Sequence, residues 1–431
     1  MSVIAVVFIV FFVCLFLSMP IAVSLLFASL TAAVVNPVLT CDALFAFRSL
    51  VTGLDSFVLL AIPLFILSGN LMAVGGISDR LFRFFAYFIG NKTAGLPIAV
   101  VISCLFYGAI TGSGPATVAA IGAMTIPLLT RLGYEKSFAT SIVAVAGGLG
   151  VIIPPSIPFV VYGQAANVSI SDLFIAGILP GILIGVFLMI AAYIHCKRKG
   201  EDKEKLNANY QELKSLGFVK VFKESFLGLL CPVIILGGIY SGIATPTEAA
   251  CISVFYALFV SIFVYKSIKW KDVGTILGDS VNALVAMLIV AASATVFGRV
   301  LSMIQAPQQI AAAITTMFSS KIALLLVINL FLLIIGMLMD AVSAILITTP
   351  IFLPIISIIG MNPVHFGVMV TVNLAIGFVT PPVGVNLFVA SSMTGIPVLK
   401  IAKHSVIFIF WFFAALMFIT FIPGLSLGLL K

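Results

Sequence analysis

Residues 150–156 read Gly-Val-Ile-Ile-Pro-Pro-Ser, and residues 377–383 read Gly-Phe-Val-Thr-Pro-Pro-Val. Each is a G-x-x-x-P-P inside an otherwise apolar run. Two successive prolines stop a helix, because neither carries an N–H and the residue before each is pushed out of helical torsions. Upstream of each pair lies a companion. Gly108-Ala-Ile-Thr-Gly-Ser-Gly-Pro115 leads through small residues to Thr125-Ile-Pro127, and Gly336-Met-Leu-Met-Asp340-Ala-Val-Ser343 leads to Thr348-Thr-Pro350. The matched prolines, 127 to 154 and 350 to 381, stand 27 and 31 residues apart. Two halves that each carry two interruptions in register are the signature of a duplicated membrane transport fold built on broken helices.

The composition around these motifs requires a bilayer. Of 431 residues, 62% are hydrophobic and 8% charged, with a mean hydropathy of +1.31. A soluble domain carries roughly 45–50% apolar and about 25% charged residues, so no water-facing surface can be assembled from this chain. A soluble enzyme, a disordered chain, a nucleic-acid binder and a disulfide-stapled secreted domain are thereby excluded. A spanning helix uses roughly 20 apolar residues, so a chain this poor in polar sequence has length for about ten to fourteen crossings. Val3–Leu17 is apolar at every position and Ile322–Met337 at every position but Asn329, which excludes the alternating strands of a membrane β-barrel. The N-terminus has no basic head and its apolar run continues past Pro20 to Val35, so it reads as the first span and not as a cleavable leader. The expected class is therefore an all-α polytopic membrane protein.

Only residues 195–224 look soluble, with eight Lys or Arg and five Asp or Glu. A basic segment between spans marks the cytoplasmic side, and the net charge of +8 reads as the mark of basic loops of this kind. A second basic cluster, Lys266, Lys269 and Lys271, follows two apolar segments, Phe226–Ser241 and Ala249–Val264, and so returns to the same face. The six cysteines are scattered without metal-ligand or CxxC spacing and read as small hydrophobes.

Within hydrocarbon an unpaired backbone group costs several kcal/mol, so irregular backbone persists only where it is buried in protein or lines an ion-bearing cavity. Carbonyls freed at the double prolines are hard oxygen donors suited to Na⁺, and two equivalent breaks give two equivalent cation sites. The small-residue run Thr111-Gly-Ser-Gly-Pro-Ala-Thr117 adds neutral hydroxyls and a helix start near Pro115 whose amides point at the break, a fit for a carboxylate. It lacks the Lys-Ser/Thr of a phosphate loop. Asp340 lies at the second half's upstream interruption, where a buried carboxylate calls for a cation, a proton or a helix-end hydrogen bond. Arg299 is the one arginine deep in the second half; it offers a fork to an anion or snorkels to the interface. Glu248 fits the first turn of a helix capped by Thr245 or Thr247. His195, His365 and His404 lie at apparent helix ends and build no metal or proton-relay cluster by sequence.

These stretches together resemble the large membrane subunit of the tripartite ATP-independent periplasmic (TRAP) transporters, essentially end to end. The residues that carry the resemblance are GAITGSGPATVAAIGAMTIPLL (108–129), GVIIPPSIPFVVYG (150–163), GGIYSGIATPTEAA (237–250), GMLMDAVSAILITTPIFLPI (336–355) and NLAIGFVTPPVGVNLFV (373–389). The resemblance implies an elevator-type secondary transporter of the bacterial inner membrane, with two inverted repeats of re-entrant hairpins and broken helices. It implies scaffold helices over 1–90 and 173–300 (with the cytoplasmic loop at 195–225), transport repeats over 91–172 and 301–396, and a C-terminal helix over 397–431. It implies no enzyme activity. Sodium entry is expected to drive uptake of a small organic acid, of C4-dicarboxylate or sialic acid type. A periplasmic substrate-binding protein is expected to deliver the acid, and a small four-helix membrane subunit, encoded as a separate chain, to brace the scaffold. One sodium site maps to Gly108, Thr111, Gly150, Ile153 and Pro154, and the other to Gly336, Gly377, Thr380 and Val383. Substrate contacts map to Thr111, Ser113, Ser156 and Asp340. The neighbouring alternative is a stand-alone sodium/carboxylate symporter that needs no binding protein. A membrane-embedded enzyme would need clustered carboxylates, histidine pairs or an activated nucleophile.

Overall fold

The computed structural model describes residues 2–36, 39, 41–317 and 320–430, and every regular element among them is helical. The N-terminal apolar run does not form one span. It folds into α1 (Val3–Phe16) and α2 (Ile21–Val35), which pack on each other across a tight turn with Ser18 at φ 60°. Pro20, placed where a continuous helix would need its N–H, ends the first helix and starts the second. After α3 (Ala43–Leu54) come α4 (Ala61–Val74) and α5 (Ile77–Ile89).

The first interrupted segment is a helical hairpin, α6 (Gly95–Thr111) and α7 (Gly114–Arg131), joined by Gly112 at φ 61° and Ser113. Then α8 (Lys136–Ala146) runs through one tighter turn (Gly147–Val151) into an irregular stretch, residues 152–156, called break 1 here, and resumes as α9 (Ile157–Ala166). From there α10 (Ile170–Lys199) crosses to the basic face. The polar segment is not an open loop: it contains α11 (Lys203–Ser215), with a single buried residue, Leu206. Two antiparallel helices follow, α12 (Phe218–Tyr240) and α13 (Pro246–Phe259), then the 34-residue α14 (Trp270–Met303) and α15 (Ala306–Met317).

The second half repeats the pattern. A hairpin, α16 (Lys321–Leu338) and α17 (Ala341–Ile358), turns at Met339 and Asp340. A broken helix follows, α18 (Pro363–Gly377) and α19 (Val385–Thr394), interrupted over residues 378–384, called break 2. The chain ends in α20 (Val398–Phe421) and α21 (Gly424–Leu427). Seven of the described helices are long and apolar enough to cross a bilayer by themselves. Much of the remaining apolar sequence, counted from composition toward ten to fourteen crossings, is spent on shorter helices of 10–17 residues.

The repeats are inverted. Both feet of the first hairpin meet the basic segment: the Ala94 amide donates to both Glu201 carboxylate oxygens at 3.0 Å, and the Tyr134 hydroxyl donates to Glu201 Oε1 at 2.5 Å. Because it is largely buried and hydrogen-bonds the Glu201 carboxylate, the Tyr134 phenol is pushed well above its ordinary pKa. The second hairpin opens from the other side, since α14 starts beside Lys266, Lys269 and Lys271 and crosses before α15. Although α10 falls within the stretch assigned to the scaffold by sequence, it packs along α20, α6 and α18, and α20 packs on α8. Helices in lipid gain little from burying apolar surface against one another and associate through close backbone approach, so small residues stand at their closest contacts.

Candidate functional site

Two such contacts, glycine against glycine, lie at the interruptions. A Cβ added to Gly108 would sit 2.6 Å from Gly150 Cα, so the first hairpin and the turn leading into break 1 touch backbone to backbone. A Cβ on Gly377 would fall on the Gly336 carbonyl, giving the same contact in the second half. Each candidate sodium group is thus gathered from two chain segments that only glycine allows to meet. Gly112 O accepts from Ile157 N at 3.3 Å, and Met337 O accepts from Val383 N at 3.1 Å, so each hairpin tip is tied to its break by one main-chain hydrogen bond. Both double prolines contain a cis peptide bond, Pro154–Pro155 and Pro381–Pro382.

In the first group, Thr111 ends α6 and is 2% exposed; its Oγ1 lies 3.1 Å from Thr117 Oγ1 and donates to Ser113 O at 3.4 Å. Gly150, Ile153 and Pro154 are buried. In the second group, Thr380 Oγ1 donates to Ile376 O at 2.8 Å, and Thr380 and Val383 are half-buried. Among the described residues no hydrogen bond ends on the carbonyls of Ile153, Pro154, Thr380 or Val383. Such oxygens, held at membrane depth without a donor, are costly unless a cation or water meets them.

The residues read as substrate contacts separate on inspection. Ser113 caps α7, accepting from Ala116 N at 3.5 Å, a long and weak bond that leaves its hydroxyl at the tip. Ser156 is fully buried and engaged inside the chain: its hydroxyl donates to Val151 O at 2.5 Å and accepts from Phe159 N at 3.3 Å as the cap of α9. Asp340 caps α17. One carboxylate oxygen accepts from Val342 N at 3.0 Å and Ser343 N at 3.1 Å, and the other from the Ser343 hydroxyl. The helix-end hydrogen bond is therefore realised at Asp340, and the amides of that helix start are filled by the chain's own carboxylate. At Glu248 the reading holds in detail: Thr245 and Glu248 form a reciprocal capping box.

Two roles escaped the sequence reading. Thr117 stands between the first hairpin and break 1, where its hydroxyl donates to Ser113 O at 2.8 Å and a Cβ on Gly150 would strike it. Asn386, at the start of α19, is fully buried; its Nδ2 donates to Ala144 O at 3.1 Å, while its Oδ1 has no partner and faces Gly114. The polar residues in these apolar runs were the available signal, but only tertiary folding brings Asn386 across to the other repeat. At the basic face His404 Nε2 lies 3.0 Å from Glu135 Oε1 and His195 stacks on Phe138 with ring centroids 4.2 Å apart, a pair and a stack; among the described residues no three metal-ligating side chains come together. His365 is buried against Thr420 O at 3.4 Å.

Inverted hairpins facing broken helices define a multi-pass membrane transporter. The family described as "Tripartite ATP-independent periplasmic transporter, DctM component" matches residues 8–425. The chain is 42% identical to the isethionate TRAP transporter permease protein DctMQ of Oleidesulfovibrio alaskensis, over 96% of this chain and 64% of that one. It is 41% identical to the C4-dicarboxylate large permease DctM of Pseudomonas aeruginosa, over 87% of this chain and 86% of that protein. With the sialic acid large permease SiaM of Vibrio cholerae it shares 37%, over 89% and 88%. Among solved structures, the YdaH transporter of Alcanivorax borkumensis superposes with a TM-score of 0.57 at 16% identity, over 89% of this chain and 91% of that one. The MtrF efflux pump of Neisseria gonorrhoeae gives 0.57 at 14%, over 88% and 83%; these two likenesses speak for the fold. The chain belongs to the DctM family of TRAP transporter large permease subunits, multi-pass proteins of the bacterial inner membrane and not enzymes. It spans just under two thirds of the DctMQ relative.

Proposed function

We propose that this permease subunit couples the inward movement of Na⁺ to the uptake of a small organic acid. The observation that carries the reading is the pair of glycine-on-glycine contacts, Gly108 on Gly150 and Gly336 on Gly377, each beside main-chain carbonyls that receive no hydrogen bond. Uncharged carbonyl and hydroxyl oxygens suit a hard monovalent cation. Thr111 O, Gly150 O, Ile153 O and Pro154 O would hold one ion, and Gly336 O, Gly377 O, Val383 O and the Thr380 hydroxyl the other. The acid meets the neutral tip of the first hairpin at Thr111 and Ser113, with Asp340 at the tip of the second hairpin balancing the charge of a bound cation.

The substrate is an acid of the C4-dicarboxylate, sialic acid or isethionate type named for the relatives, and alternating exposure proceeds by an elevator movement of the two repeats against the scaffold. A periplasmic binding protein and a small membrane subunit complete the transporter, in keeping with the word tripartite in the family's description. The test is uptake into proteoliposomes holding this chain, its small subunit and the binding protein. Uptake should follow an inward Na⁺ gradient and stop when choline replaces Na⁺. Uptake that continues without Na⁺, or that this chain supports without either partner, rejects the coupling or the tripartite requirement respectively.

A further inference from the structure

Between the scaffold and the second hairpin lies a cavity of about 770 Å³, walled by α3, α4 and α14 on one side and by α9 and α17 on the other. It opens toward α15, on the face opposite the basic segments, where Gln308 lines it, and it extends inward to Val342, two residues from the Asp340 tip. Its size suits an organic acid, since ligand pockets measure roughly 300–1,000 Å³. Thr52, Gln164, Thr295 and Gln308 give it hydrogen-bonding groups, and Arg299 is the one charged side chain on its lining among the described residues.

Arg299 is held but not neutralised. Its Nη1 donates to Ser49 Oγ at 3.0 Å, and Ser49 is 1% exposed, so the guanidinium is anchored to α3. No carboxylate pairs with it among the described residues. A snorkelling arginine extends along lipid toward the headgroups; this one is exposed toward a cavity shared by static and re-entrant elements. An unpaired cation walled by low-dielectric helices concentrates field lines and raises the local concentration of anions.

We infer that Arg299 forms an anion-receiving site in this outward cavity, where a carboxylate or sulfonate docks before it passes along α17 to the hairpin tips. The inference rests on the uptake reading above, but the site has a signature of its own. A guanidinium offers paired parallel donors that match either acid group, and with one set of donors given to Ser49 the rest serve the ligand.

The test places a reporter thiol at Ser302, which lines the cavity one helical turn beyond Arg299. Cys251, the one cysteine not buried among the described residues, is changed to Ser in the same background. In the full chain with its small subunit, Ser302→Cys is labelled with sulfonatoethyl and with trimethylammonioethyl methanethiosulfonate. The ratio of the two rates cancels the thiolate fraction. It should favour the sulfonate by roughly tenfold over the same ratio in Arg299→Gln. Arg299→Lys should keep most of the preference, and millimolar succinate or isethionate should slow labelling only when position 299 is cationic. Equal ratios in the Arg and Gln proteins, or a thiol that neither reagent reaches, overturns the site. In uptake of succinate, N-acetylneuraminate or isethionate by whichever the wild type accepts, Arg299→Gln should raise KM about tenfold with kcat within a factor of two. If the wild type moves none of the three with Na⁺, the uptake reading fails while the labelling ratio still decides the site.

Discussion

Break 1 and the turn that leads into it are buried at every residue from 147 to 156, whereas in break 2 Pro382 is exposed and Thr380, Pro381 and Val383 are half-buried. The two hairpin tips differ in the same sense. The first turns through Gly112 and is capped by a serine, with the buried Thr111–Thr117 hydroxyl pair behind it; the second turns at a carboxylate that takes two amides and a hydroxyl. Duplication preserved the backbone device and let its surroundings diverge. A sealed, neutral break is suited to holding a cation through the cycle, with its tip open to an anion. A more exposed break beside a carboxylate is suited to exchanging its cation, and its tip repels a free acid. The two cation groups are therefore expected to be unequal in access and not merely duplicated.

The largest effects should come from the contacts that the repeats share. A methyl on Gly377 would collide with the Gly336 carbonyl and one on Gly108 with the Gly150 backbone, and neither neighbour is a flexible side-chain end. Gly377→Ala and Gly108→Ala should each abolish uptake and lower stability by about 1–3 kcal/mol, the usual cost of overpacking. Size-exclusion profiles and thermal melts of the purified subunit measure this. If one alanine is tolerated and its counterpart is not, the two contacts are not equivalent and the symmetry argument fails at that point.

Next in size is the contrast between the caps. Asn replaces Asp as a helix cap at little cost, so Asp340→Asn removes charge and keeps the start of α17. Uptake should fall more than tenfold and the apparent Na⁺ affinity should weaken, with melting unchanged. Ser113→Ala should show a smaller loss of uptake with no change in Na⁺ dependence, because the bond that it removes is long. If both variants shift the Na⁺ dependence alike, charge is not what distinguishes the tips. Smaller still is the pair of threonines. Thr380→Val removes a hydroxyl at the open break and should raise the Na⁺ concentration for half-maximal uptake several-fold. Thr111→Val deprives a buried pair of one partner and should cost about 1 kcal/mol of stability, while Thr117 keeps its bond to Ser113 O.

Much of this was legible before any coordinates. Pro154-Pro155 and Pro381-Pro382 dictate breaks because proline chemistry is local, and the paired glycines mark close approach because nothing else fits. Cap residues were readable wherever the partner lies within one turn, as at Thr245 and Glu248. What could not be read depends on segments far apart in the chain. Asn386 reaches Ala144 across the repeats, Glu201 anchors the feet of the first hairpin, and His404 finds Glu135. None of these pairings leaves a periodicity or a spacing. The N-terminal run misled for a related reason: hydropathy reports that Val3–Val35 belongs in lipid, but whether Pro20 kinks a helix or ends it depends on whether α1 can fold back on α2.

The finest test of the comparison is amide exchange at the breaks themselves. In break 1 the Ile152 and Ile153 amides both donate to Leu149 O at 3.0 and 2.9 Å, under residues that are wholly buried. In break 2 the Thr380 and Val383 amides donate to Gly377 O and Met337 O at 3.1 Å, next to the exposed Pro382. Exchange requires local opening, which is easier where fewer buried contacts must be lost. Peptides covering 379–384 should therefore exchange faster than those covering 151–153 in Na⁺-free buffer. A ligand that binds only the closed form stabilises it by mass action. Added Na⁺ should accordingly slow the second break more than the first, whose closed form is already favoured by packing. Equal protection at both breaks, or a Na⁺ effect confined to break 1, would reverse the assignment of the sealed and the exchanging site.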